Sequence, residues 1–113
     1  MSITRREKCK IKNIHSEIMK KALSDVLSKY KARKISDFEY LIDGWHGSIM
    51  FSKDGSFYVD SWGHEVEWEK IKSALYDRYI AEAYILSLRK NGFKDIKISE
   101  QEDGTLCVLG MKS

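Results

Sequence analysis

His46, Asp60, His64 and Glu65 are the residues of this chain whose types suit chemistry. Two imidazoles and two carboxylates are ligands enough for zinc, and they also suffice for general acid and base catalysis. Their spacing does not demand either role. His64 and Glu65 are adjacent, and no second histidine follows at a helical interval. Asp60 and Glu65 are better read as groups that favour the start of a helix, where carboxylates meet the positive end of the helix dipole. His15 reads as an exposed first-turn residue. Ser48, Ser52, Ser56 and Ser61 fall in strand or turn contexts, away from any glycine-flanked strand-to-helix elbow. Gly44, Gly47, Gly55 and Gly63 are isolated and form no phosphate-cradling loop. The sequence specifies no catalytic set, metal or cofactor, and an enzyme using His46, Asp60 and His64 ranks third among the functional readings.

The elements that must position these residues follow from period and punctuation. Glu7, Cys9 and Ile11 alternate with lysines, the two-residue repeat of a half-buried strand. Asn13 is the expected cap of a helix on which Ile18, Ala22, Leu23, Val26, Leu27 and Tyr30 share a face. A β-rich middle comprises residues 35 to 42, 45 to 52 and 56 to 62, with Asp43-Gly44 and Lys53-Asp54-Gly55 as turns. A long helix then carries Trp68, Ile71, Leu75, Tyr79, Ala83 and Leu86 on one stripe. Ile80, Tyr84 and Leu88 widen that stripe, which implies apolar neighbours on more than one side. Asn91-Gly92 stops the helix. Two final strands follow, turned by Glu102-Asp103-Gly104. The fold class is α+β: an antiparallel sheet in the order β-α-β-β-β-α-β-β, with two helices packed on one face.

Length and composition agree with one domain spanning residues 1 to 113. A chain of this size supports one core and is too short for two. With 42% hydrophobic and 33% charged residues it is globular in composition. No apolar run approaches the roughly 20 residues of a membrane span, and Met1 to Glu7 lacks the apolar segment of a secretory signal. A cytoplasmic location is expected, with Cys9 and Cys107 as free thiols. Asn13, Asn91 and Gln101 are the only amides, a bias associated with proteins of hot environments.

Several short motifs resemble a known family. They are Lys10-Ile11-Lys12 before a helix with Ala22-Leu23, Gly47-Ser48-Ile49 in a strand, Asp60-Ser61-Trp62-Gly63 before a long helix with Tyr79, Gly92-Phe93 after it, and Glu102-Asp103-Gly104-Thr105-Leu106. Together they look like the uncharacterised hypothetical chloroplast reading frame thirty-five family, whose relatives occur in cyanobacteria, other bacteria, archaea and phages. The resemblance covers nearly the whole chain. It brings no established activity and no catalytic residues. The residue before the junction tryptophan, often aromatic in that family, is Ser61 here.

Charge and exposed apolar residues give the two leading functional readings. Residues 1 to 34 hold eleven Lys and Arg against three acids, and the remainder holds nine against fourteen. That asymmetry suggests a basic patch, and mutual neutralisation of the two halves is the ordinary alternative. If both helices cover one sheet face, Cys9, Ile11, Ile49, Phe51, Phe57 and Val59 point toward them, while Lys8, Lys10, His46, Met50, Tyr58 and Trp62 point away. Lysines beside aromatic rings suit a single-stranded nucleic acid, with Arg5, Arg6, Lys8, Lys10, Lys12, Lys31, Arg33 and Lys34 as contacts. Glu39 and Asp60 share that face and can pair with the lysines instead. Leu41, Met50, Tyr58 and Trp62 form the candidate interface of the leading reading, a non-enzymatic domain that binds protein or a second copy of itself through an open sheet face or edge.

Overall fold

The computed structural model describes residues 4 to 103 and 105 to 112. Met1, Ser2 and Ile3 of the segment read for a leader, and Gly104 of the final turn, lie outside the described residues. Among the described residues, nine elements follow one another: β1 (Arg5–Lys8), α1 (Ser16–Leu27), β2 (Ala32–Ser36), β3 (Glu39–Ile42), β4 (Ile49–Phe51), β5 (Ser56–Val59), α2 (Glu65–Lys90), β6 (Phe93–Glu100) and β7 (Leu106–Lys112). The α+β class and the expected succession of sheet and helix segments hold, with β2 as a further strand in the middle. No helix among the described residues is long and apolar enough to cross a membrane.

Five strands form one antiparallel sheet in the order β1-β5-β4-β3-β2. The residues from 35 to 42 make parts of two strands, because Asp37 and Phe38 turn the chain and the Ser36 hydroxyl accepts the Phe38 N–H at 3.3 Å. That turn contains no glycine or proline, so alternation alone read straight through it. At Lys53-Asp54-Gly55 the expected hairpin is present, with Gly55 at φ 81° and the Asp54 carboxylate accepting the Ser56 N–H at 2.9 Å.

The first strand is shorter than its alternation suggests. It ends at Lys8, and Cys9 and Ile11 reach the core from the connection that follows. Asn13 is not the cap of α1. It sits at φ 56°, and His15 occupies the cap position without a side-chain cap bond. The connection is held instead by α2: the Tyr76 hydroxyl accepts the Lys10 N–H at 3.2 Å, and the Tyr79 hydroxyl accepts the His15 N–H at 2.8 Å.

Both helices cover one sheet face. Met19, Ala22, Leu23, Val26 and Leu27 of α1 and Trp68, Ile71, Leu75 and Tyr79 of α2 share a core with Tyr40, Ile42, Ile49, Phe51, Phe57 and Val59 of the sheet. Phe57 is its centre, meeting Phe51 edge-on at 5.2 Å and Trp68 at 5.5 Å. Such ring pairs contribute about 0.5 to 1.5 kcal/mol beyond the area they bury. Between the helices, Arg78 bridges Asp25 at 3.1 Å and the buried Glu82 at 3.2 Å, while Lys21 lies 3.6 and 3.8 Å from the same two acids.

The last two strands do not join the main sheet. β6 and β7 form their own two-stranded ladder packed against α2, and Glu100 pairs with Lys29 just beyond α1 at 3.3 Å. The molecule measures 55 Å along its longest axis and has a radius of gyration of 15.1 Å, against about 13 Å for a compact chain of this length.

Candidate protein-binding surfaces

The face turned away from the helices is built by register. Glu39 pairs with Met50, Met50 with Tyr58 and Tyr58 with Arg6, so these four side chains cross the sheet in one row. Leu41 lies on the same face beside Arg33 of β2. Polar groups are interleaved with this strip: the Ser48 hydroxyl donates to Glu39 at 2.6 Å, and the Tyr58 hydroxyl donates to Asp54 at 2.8 Å. Leu41, Met50 and Tyr58 are each half-buried by their neighbours. Trp62, beyond the end of β5, is exposed and its ring lies 5.3 Å from that of His46.

Asp60 and Gly47 lock this end of the sheet. The Asp60 carboxylate, itself buried, accepts the Trp62 N–H at 3.4 Å. A Cβ on Gly47 would lie 2.7 Å from the Asp60 Cβ, so only glycine fits there. His64 belongs to a different cluster. Its ring stacks on Trp45 at 5.3 Å with an 11° tilt, and Glu67 lies 3.6 Å from its Nδ1 and accepts the Trp45 indole N–H at 3.3 Å. Each histidine thus has its own tryptophan. Glu65 accepts the Gly63 N–H at 3.3 Å, next to the helix start. Among the described residues, no group of three or more His, Cys, Asp or Glu is gathered as metal ligands would be.

The structure separates the basic candidates into two sets. Arg5, Arg6 and Lys8 lie on β1, Lys10 and Lys12 on the connection after it, and Lys31, Arg33 and Lys34 on or beside β2. Since β1 and β2 are the two outermost strands, four strand spacings, roughly 19 Å, separate them. Arg6 faces Asp54 at 3.5 Å and Lys34 faces Asp37 at 3.1 Å. Beside β1, Lys8, Lys10, Lys12 and Lys53 line a cleft of about 670 Å³ that also contains Asp54.

The largest apolar exposure lies elsewhere. Val66 is 71% exposed, Ile80 59% and Tyr84 54%, and on the hairpin Leu109 and Met111 are also in water. Ile80 and Tyr84 border a groove of about 430 Å³ between α2 and β7, lined further by Asp77, Ala81, Thr105, Leu106 and Val108. The widened stripe of Ile80 and Tyr84 was a sequence signal for this surface. Val66 carried none, because it sits on the face opposite Trp68, alone among charged neighbours.

No family model, curated protein or solved structure matches the chain.

Proposed function

We propose that this protein is a non-enzymatic binding domain of the cytoplasm that acts through protein–protein contact, as a subunit, an adaptor or a self-associating unit. The observation that carries this reading is the set of bulky apolar side chains left in water on α2 and the hairpin, Val66, Ile80, Tyr84, Leu109 and Met111. Ile80 and Tyr84 border the α2–β7 groove, and large apolar side chains exposed beside a groove favour a macromolecular contact over isolated solvation. The open sheet strip of Leu41, Met50 and Tyr58, with Trp62 at its end, supplies a second, more polar contact area. Two of the motifs that resemble the chloroplast reading frame family meet at Gly47 and Asp60, and membership in that family would be compatible with a contact-making role.

Native mass measurement of the protein from its own source tests the reading. A species heavier than the 13.2 kDa chain is expected, as a self-assembly or with a bound partner. Tyr84→Ser should return it to chain mass without altering the circular dichroism. A 13.2 kDa species in both preparations refutes the reading.

Nucleic-acid binding stands second, favoured by the four lysines of the cleft beside β1. Each phosphate contact contributes a slope of about −0.9 to the dependence of log affinity on log salt. Binding that ignores salt, or that survives Lys10→Glu with Lys12→Glu, eliminates this alternative.

A further inference from the structure

The face of α2 opposite the core carries Val66, Lys70, Ser73, Asp77, Ile80 and Tyr84, spaced four, three, four, three and four residues apart along one stripe. All six are exposed. The stripe has a near-palindromic chemistry about Ser73: apolar, cation, small residue, anion, apolar. Val66 lies seven residues before Ser73 and Ile80 seven after it. Lys70 lies three before and Asp77 four after, a mismatch of one residue or about 1.5 Å of helix rise. Lys70 and Asp77 have no ion-pair partner among the described residues, whereas Glu69, Lys72, Arg78 and Glu82 of the same helix do.

We infer that the chain pairs with a second copy of itself through this stripe, two α2 helices crossing antiparallel about a two-fold axis at Ser73. The inference rests on the reading of the protein as a contact-making domain and names its partner. In this arrangement Val66 of each copy meets Ile80 of the other at the mouth of the α2–β7 groove, and Lys70 faces Asp77 twice. Ser73, at the axis, lets the helices approach to the 8 to 10 Å typical of packed helices. Trp62, four residues ahead of Val66, comes roughly level with Tyr84 of the second copy.

Charge fixes the register. Moving the axis one turn toward Asp77 would set two carboxylates against each other, and moving it toward Lys70 would do the same to two ammonium groups. A parallel pair would create both repulsions at once. An isologous contact in which each residue meets its complement is the closed symmetry most soluble oligomers adopt.

Sedimentation of the full chain across a concentration series, with charge-reversed variants, tests the inference. The wild type should dimerise with rising concentration. Lys70→Asp and Asp77→Lys should each weaken the dimer by about tenfold or more, because two-fold symmetry doubles each like-charge contact. The double variant K70D/D77K should regain the dimer, and the two single variants, mixed, should form a heterodimer. Loss of a merely structural role would give neither rescue. A wild type that is monomeric throughout overturns the inference, and so does a dimer indifferent to all three variants. The second outcome leaves the contact-making reading intact on another surface. A monomer that nonetheless loses a bound heterologous partner in Tyr84→Ser overturns the homodimer and keeps the broader reading. A monomer with nothing to lose overturns both.

Discussion

Gly47 and Asp60 approach so closely that a methyl group on the former would overlap the latter's Cβ at 2.7 Å. Asp60 is held against that segment: its N–H donates to the carbonyl of the neighbouring Ser48 at 3.4 Å, and the residue is buried. Gly47→Ala should therefore destabilise the fold by about 1 to 3 kcal/mol, the usual range for overpacking, read by denaturant unfolding. Asp60→Ala leaves the offending Cβ in place and should not rescue it, whereas Asp60→Gly should do so in part. Full stability of Gly47→Ala would contradict the contact.

The hydroxyl of Tyr79 accepts the N–H of His15 in a partly buried setting. Tyr79→Phe strands that donor and should cost about 1 to 3 kcal/mol. Tyr76→Phe frees the more exposed Lys10 N–H and should cost less. Hydrogen exchange at the His15 amide should accelerate in the first variant and stay unchanged in the second.

Arg78 neutralises Asp25 and the buried Glu82 together. Arg78→Met leaves both carboxylates with only Lys21 and should destabilise by about 1 to 3 kcal/mol near neutral pH, the range for stranding a partly buried polar partner. Desolvation, with help from Asp25, raises the Glu82 pKa above its ordinary value despite Lys21 and Arg78. Since the folded value exceeds the unfolded one, the folded state holds this proton more tightly. Stability linked to Glu82 is then full below the ordinary glutamate range and declines as pH rises through the raised value. The Arg78→Met penalty should shrink on acidification; a penalty constant with pH would argue against a charged Glu82 as its source.

Asp54 is tuned from the opposite direction. The Tyr58 hydroxyl holds its carboxyl below the usual aspartate range, outweighing desolvation, and the Ser56 N–H and Arg6 add smaller effects in the same direction. Because the folded value lies below the unfolded one, the stability it contributes is present above the ordinary range and lost as pH falls through the folded value. Tyr58→Phe should move the Asp54 titration upward in a carboxyl NMR experiment. An unmoved titration would show that the hydroxyl is not the principal cause.

Legibility in the sequence followed the strength of local signals. The long helix was readable because Trp68, Ile71, Leu75 and Tyr79 repeat without interruption and Asn91-Gly92 ends them, with Gly92 at φ 86°. Residues 37 and 38 were not readable as a turn, since no residue there imposes one. Asn13 looked like a cap because its type favours caps, yet tertiary bonds from Tyr76 and Tyr79 to the connecting backbone decided where α1 begins. The basic residues were read as one patch because they are neighbours in sequence. Strand order, which depends on long-range pairing, put β1 and β2 on opposite margins. The histidines were grouped by proximity along the chain and divided by the two tryptophans that hold them.

The placement of those margins also governs how far association can spread. An unpaired outer strand offers its backbone to any neighbouring chain, and cationic side chains along it are a common safeguard. Here Arg5, Arg6 and Lys8 border one side and Arg33 and Lys34 the other, so molecules meeting rim to rim repel whichever rims they present. Growth into ribbons or fibrils by extension of the main sheet is discouraged at both of its borders, which favours a finite complex over an open-ended one.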